Sequence, residues 1–299
     1  MKLSKLSKRV SSLALAGVMM LSLAIPAFAD STTTTIKVMA AASTRYTLGD
    51  GVSGAYPSGT LLQEFEASHP NIKVNVTYDS SGNLVNQMVA DSTRSADVFI
   101  SADLARMNLA VTDGIIEADT TSNLLNNRLV LVARTDSGLT ANNPGYSGAL
   151  AWLQAASGRT IALGDPAVVP AGTYTQQVFG PTAWTTLTTS TPSLSTLYSN
   201  VTNVLTAVAN SNTTHQNQIG SVYATDAKTN NNLIVLDSKD VNIIYPIGIT
   251  NAAMGDDSRA SAAQELDTFL YADLAKSGTI PVINGGSVFL NAGFTAATN

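Results

Sequence analysis

The residues of this chain that could do chemistry are small hydroxyls and backbone amides, set where strands turn into helices. The central stretch is Tyr78-Asp79-Ser80-Ser81-Gly82-Asn83-Leu84. Ahead of it, Ile72-Lys73-Val74-Asn75-Val76-Thr77 alternates apolar and polar as a strand does. Behind it, Leu84, Val85, Met88 and Val89 recur at helical spacing. Ser80 or Ser81 is a natural N-cap, and Gly82 lets a ligand approach the backbone. The free N–H groups and positive dipole end of such a helix form an anion site without any charged side chain. An ordinary capped helix has the same pattern, so the rest of the chain must decide between the two.

Similar turns recur. Ile36-Lys37-Val38-Met39-Ala40-Ala41-Ala42 reads as the first strand, and Ser43 follows at its end, where open α/β sheets place ligands. A turn serine against a tightly packed strand end is the plain alternative. Ile161 to Pro166 reads as a strand and turn, after which Val169-Pro170-Ala171-Gly172-Thr173-Tyr174 opens a helix. Ile219-Gly220-Ser221-Val222-Tyr223 is a strand, and Ala224-Thr225-Asp226-Ala227 turns into another helix. Asp97, Asp103, Asp165 and Asp226 flank strand ends. They could form a carboxylate pair or a cation site, but capping is the commoner role for Asp there. His69 before Pro70 and His215 in a polar run both read as surface residues, which leaves no base for a Ser-His-Asp triad. No Gly-x-Ser-x-Gly, His-Glu-x-x-His or P-loop motif occurs.

The elements that must hold these turns alternate along the chain, so the expected fold is α/β with helices on both faces of the sheet. Thr44 to Gly59 reads as an unusually long loop. Thr60 to Gln63 reads as a capping box opening a helix, and Ala262 to Leu274 as an amphipathic helix. Asn127 to Ala133 is an apolar strand. Leu233 to Leu236 and Ile243 to Ile247 read as two further strands, and Trp184 to Ser199 stays unassigned.

The chain has 299 residues. Lys2, Lys5, Lys8 and Arg9, an apolar run from Leu13 to Ile25, and Ala27-Phe28-Ala29 read as a secretory leader, residues 1–29. Its four basic residues leave with it, taking the net charge from −5 to −9. Phosphate backbones would be repelled, which argues against a nucleic-acid partner. There is no cysteine, hence no disulfide, no thiol nucleophile and no Cys-linked lipid anchor. The expectation is a soluble periplasmic or secreted protein. Charged residues make up only 12% of the chain, so neutral polar side chains must do most of the hydrogen bonding.

Several segments, in this order, resemble the periplasmic molybdate-binding proteins of ABC importers. They are Ala40 to Ser43, Ser80 to Met88, Ala96 to Asp103, Leu125 to Ala133, Gly164 to Tyr174, Val222 to Ala227 and Tyr245-Pro246-Ile247. The resemblance covers most of the chain from Ile36 to Ile247, and weakly Ala292-Gly293-Phe294. It implies a two-lobe, type II-like binding protein with the ligand cleft between the lobes. One lobe would hold residues 30–126 and 244–299, the other 127–243. Crossing segments would fall near Asn126–Arg128 and Ile243–Tyr245, with a separate sheet on either side.

By resemblance, Ser43 and Ser81 supply hydroxyl and backbone donors, Ala171 and Val201 backbone N–H groups, and Tyr223 its phenol. Molybdate, with tungstate the size-matched alternative, would be the ligand. It would bring molybdenum only as the oxyanion, with no direct cation site, no separate cofactor and no catalysis. A membrane permease would be the partner and the protein a monomer. The physics agrees, since a fully ionised oxyanion accepts only and every group facing it must donate. The chain departs from the family at Thr44–Gly59, at Arg45 beside the site, at Asp79 and between Ala90 and Ser95. Alternatives are the same scaffold holding another oxyanion or small anionic solute, a secreted α/β hydrolase, or a Thr/Asn-rich adhesive module.

Overall fold

Strand and helix alternate as the periodicity requires. The computed structural model describes residues 32–93, 95–209, 218–276 and 286–297; the expected leader, Arg94 and His215 lie outside them. The first part runs β1 (Thr34–Ala41), α1 (Arg45–Leu48), α2 (Leu61–Ser68), β2 (Ile72–Asp79), α3 (Ser81–Ala90), β3 (Val98–Ile100) and α4 (Leu104–Thr112). The middle runs β4 (Ser122–Arg134), α5 (Tyr146–Gln154), β5 (Thr160–Gly164), α6 (Pro170–Thr189), β6 (Ser195–Tyr198), α7 (Val201–Ala209), β7 (Gln218–Tyr223) and α8 (Ala224–Lys228). The chain closes with β8 (Leu233–Ile249), α9 (Asn251–Met254), α10 (Asp257–Ala275), α11 (Val288–Ala292) and β9 (Thr295–Ala296).

The expectation of a separate sheet on either side of the crossing segments is corrected. The strands form one sheet in the order β2-β1-β3-β8-β4-β7-β5-β6, with β9 on β4. The reason is the length of the crossing strands themselves. Leu233–Leu236 and Ile243–Ile247 are not two strands but parts of the 17-residue β8. β8 pairs with β3 at one end and runs antiparallel to the 13-residue β4, which in turn pairs with β7. Outside this central pair the neighbours are parallel, β1 with β2 and β3, β5 with β6 and β7. The expected crossing points face each other, Asn126 opposite Ile244 and Asn127 opposite Ile243, with a register shift before Leu129. Parallel strands require helical connections, and these cover the sheet. Ile36, Val74, Leu129, Leu131, Ile161, Ile219 and Ile247 are buried in one core cluster.

Several local readings are refined. Thr44–Gly59 is not all loop: Ala42–Thr44 forms a 3₁₀ turn that runs on into α1. The rest is tied down, Tyr56 Oη donating to Val74 O and Tyr78 Oη to Gly49 O, both at 2.8 Å. Ser53 and Gly54 both donate to the buried Glu66. α2 starts where expected, but Thr60 Oγ1 donates back to Pro57 O instead of completing a capping box. The unassigned Thr-rich stretch continues α6 to Thr189, bent where Gly180 (φ 75°) meets Pro181, and then enters β6. Only glycine adopts that φ at little cost. The amphipathic helix is longer than expected, spanning the whole of α10.

Candidate functional site

Three helix N-termini, the turn after β1 and the end of β7 bring the candidate residues together. Ser80 caps α3, its Oγ accepting from Asn83 N at 3.3 Å, which places Ser81 at the first helical position. Pro170 occupies the first position of α6, so Ala171 is second, with a first-turn N–H that no carbonyl of α6 can reach. Val201 opens α7. Ser43 sits in the 3₁₀ turn after β1, and Tyr223 ends β7. Ser43, Ser81, Val201 and Tyr223 line one small, narrow cavity that opens to solvent. Ala41, Ala42, Asp79, Ser80, Ala102, Val169 and Pro170 complete its wall. Ala171 is fully buried one residue behind Pro170 and is not itself part of the lining.

The hydroxyls are oriented by what lies behind them. Ala102 N donates to Ser81 Oγ at 2.9 Å, and a backbone N–H cannot accept in return. The Ser81 proton is therefore free to point into the cavity. Ser43 Oγ lies 2.8 Å from Tyr245 Oη, which also accepts from Asn127 Nδ2 at 3.2 Å. Tyr223 Oη is buried and makes no hydrogen bond to any described residue. Its ring meets Tyr245 edge-on at 5.7 Å. Burial pushes both phenols well above their ordinary pKa, so at neutral pH both keep their protons and can donate.

Three of the four strand-end carboxylates follow the capping reading; Asp97 does not. Asp103 caps α4, accepting from Arg106 N at 2.8 Å, and Asp165 accepts from Ala167 N at 2.9 Å. Asp97 accepts from Lys37 N and from Arg259. Asp226, completely buried, accepts from Tyr223 N at 3.3 Å, and burial raises its pKa to about 7. Asp79 reaches the cavity wall, but its Oδ1 takes hydrogen bonds from Ser80 N and from the Asn83 side chain. Its charge is thereby turned toward the first turn of α3. Arg45 does not line the cavity. Its guanidinium pairs with Asp50 at 3.0 Å and lies over the Tyr78 ring. His69 stacks on Phe65 at 4.3 Å, also outside the lining. Among the described residues no cluster of three or more His or acidic side chains is placed to hold a metal ion.

Gly82 plays a different part from the one its position suggested. What approaches its backbone is the backbone of Val168, whose carbonyl accepts from Gly82 N at 3.0 Å. A Cβ on Gly82 would lie 2.6 Å from that oxygen and 2.7 Å from Val168 Cα. Arg106 makes a second bridge, pairing with Asp103 at 2.9 Å and donating to Pro166 O at 2.8 Å. Both contacts clamp α3 and α4, from one end of the sheet, against the approach to α6 at the other. Little in the amino-acid sequence marks out Tyr245, Asn127 or Arg106. Tyr245 and Asn127 read as members of apolar strands, and nothing in the helical spacing around it singles out Arg106.

Strand ends and helix N-termini gathered round one small donor-lined chamber make a fold for binding a small solute. The chain belongs to the bacterial extracellular solute-binding protein family, whose pattern matches residues 51–277. It is 28% identical over 253 residues, 82% of this chain and 85% of the other, to YvgL of Bacillus subtilis (strain 168), which bears the name of an ABC transporter substrate-binding lipoprotein. It is 36% identical over 112 residues, 37% of this chain and 42% of the other, to the molybdate-binding protein ModA of Escherichia coli (strain K12). Its fold matches that of the Azotobacter vinelandii periplasmic molybdate-binding protein with a TM-score of 0.62 at 16% identity, over 88% of this chain and all of the other. No helix of the described residues is long and apolar enough to cross a membrane.

Proposed function

We propose that this protein captures molybdate, or the size-matched tungstate, outside the cytoplasm and hands it to the permease of an ABC importer. The observation that carries the reading is the convergence of Ser43, Ser81 and Tyr223 on one cavity, with Tyr223 Oη buried and without a partner among the described residues. Tyr223 offers a donor, and Ala102 leaves the Ser81 proton free to donate. Such a wall suits a ligand that only accepts. The first turns of α3, α6 and α7 add amides and dipoles, through Ser81, Ala171 and Val201, and these spread a dianion's charge without a buried lysine. The partial identity to a named molybdate-binding protein points the same way.

In this reading the sheet is divided functionally at the β4–β8 pair, with residues 30–126 and 244–299 forming one lobe and 127–243 the other. The protein works as a soluble monomer after loss of residues 1–29, uses no cofactor and catalyses nothing. Calorimetric titration of the mature protein with molybdate, tungstate and sulfate tests the ligand. Molybdate and tungstate should bind alike. Sulfate is smaller and leaves donors stretched, at roughly 1–3 kcal/mol for each unmade buried hydrogen bond. Two such losses amount to a preference of about one and a half to four powers of ten. Equal affinity for sulfate and molybdate would overturn the size match, and no heat with any oxyanion would overturn the ligand class.

A further inference from the structure

We infer that Asn127 and Tyr245 are positioning residues that fix the direction of the Ser43 proton, so that Ser43 can only donate to the bound anion. The inference rests on the oxyanion reading and goes beyond it by assigning a role to two residues that do not line the cavity.

The direction follows from counting protons. Asn127 Oδ1 accepts from Arg128 N at 2.8 Å, which fixes which end of the amide is oxygen. Its Nδ2 then faces Thr225 Oγ1 at 2.9 Å and Tyr245 Oη at 3.2 Å. An amide nitrogen cannot accept, so Tyr245 Oη must be the acceptor of that bond. Tyr245 has one proton left to give, and its other partner is Ser43 Oγ at 2.8 Å. Ser43 receives it, so the serine's own proton has no claim on it from behind and turns to the cavity that Ser43 lines. Asn127, Tyr245, Thr225 and Ser43 are all buried, so bulk water does not compete for these bonds. Ala102 N does the same for Ser81 directly. Both serines are thus preset as donors before an anion arrives, which favours a fully ionised oxyanion over one that must donate a proton of its own.

The test is a double-mutant cycle read by molybdate titration. Asn127→Asp keeps the size of the side chain but replaces a donor by an acceptor. Tyr245 would turn its proton toward residue 127, Ser43 would donate to Tyr245, and the anion would meet a lone pair. Molybdate affinity should fall by roughly ten- to hundredfold, the worth of one buried hydrogen bond. In a Ser43→Ala background the same change should cost little more, because no serine proton remains to be reversed. Adding Tyr245→Phe to Asn127→Asp should recover most of the loss, since the reversed relay is cut while the new charge stays. Equal losses with and without Ser43, or no recovery with Tyr245→Phe, would show that residue 127 acts by charge or fold and would overturn the inference. If Asn127→Asp does not fold, Asn127→Ala replaces it: without the amide the Tyr245–Ser43 bond can run either way, so affinity should fall several-fold in the parent and little further in Ser43→Ala, and equal losses in the two backgrounds would overturn the inference. A parent protein that binds no molybdate would instead bring down the oxyanion reading, and the relay with it.

Discussion

Tyr223→Phe should act with opposite sign on stability and on binding. Tyr223 Oη is buried and without a partner among the described residues, while the ring around it packs against Tyr245. Removing the hydroxyl keeps that packing and deletes only an unsatisfied donor, whose burial costs about 1–3 kcal/mol. The anion-free protein should therefore gain up to that amount. Scanning calorimetry would show the gain as a rise of about 2–4 °C for each kcal/mol in a chain of this size. Binding loses one charge-assisted hydrogen bond, worth about 1.5–3 kcal/mol, so molybdate affinity should fall by about ten- to a hundredfold. The anion's stabilising effect should shrink in step, since ligand at a hundred times its Kd adds about 2.7 kcal/mol and proportionately less as Kd rises. The two readouts separate the explanations. A variant that binds as the parent does removes Tyr223 from the ligand set. One that melts lower without ligand shows that the hydroxyl has an internal partner.

Three further outcomes follow from the same geometry. Gly82→Ala should weaken anion binding while leaving the far-ultraviolet circular dichroism unchanged, because its Cβ would fall 2.6 Å from Val168 O and hold the clamp open; parent-like affinity would show that the contact is not needed. Asp79→Asn should tighten molybdate binding several-fold in titration by removing the one carboxylate in the cavity wall, and weaker binding would mean that the charge is needed to hold the first turn of α3. Asp226 has its pKa raised from 3.8 to about 7 by burial, opposed by the Tyr223 N–H. Between those values the unfolded chain has lost the proton and the folded one keeps it, so stability falls as pH rises through that window, by about 4 kcal/mol in all at about 1.4 kcal/mol per unit. Asp226→Asn should flatten this slope and raise the urea midpoint at pH 8 but not at pH 3, and an unchanged slope would show that Asp226 ionises normally.

How far the sequence could be read depended on whether a feature was local. The first turn of α3 was legible because strand alternation, a capping serine and helical spacing all sit within twenty residues. Ser43 and the turn at Tyr223 are legible as strand ends that could face a ligand, but only the resemblance separates them from ordinary turns, and Val201 is reached through the resemblance alone. The separate sheets are an implication of the resemblance, and in the sequence the polar Asp237 to Asn242 divides β8 into two strands. Pairing with β4 carries β8 through that polar stretch, tertiary context overriding local propensity. Tyr245 and Asn127 were invisible as site residues for a related reason. In sequence a strand residue shows which face it occupies, not which hydroxyl it meets 118 or 202 residues away. Gly82 was noticed for the right property, a missing Cβ, but what its absence admits is a neighbouring backbone.

That an acidic chain should hold a dianion with no cation among the described residues of its wall has a physical answer in where its negative groups are placed. Asp103, at the N-cap of α4, is neutralised by Arg106, which is further tied to Pro166 O. Asp226 sits behind Tyr223 and, being fully buried, holds its proton up to about pH 7. Asp79, the carboxylate that does reach the wall, is occupied by a helix N-terminus and the Asn83 amide. Each negative charge near the cavity is thus paired, protonated or hydrogen-bonded away from it. What remains facing inward is hydroxyls and first-turn amides, whose dipoles are fixed by the fold and cost little reorganisation when the anion enters. A lysine in the same place would have to be desolvated together with the ligand, and would be a buried unpaired charge whenever the ligand left. Neutral donors avoid that cost in the empty state, which a carrier that must release its cargo visits in every cycle.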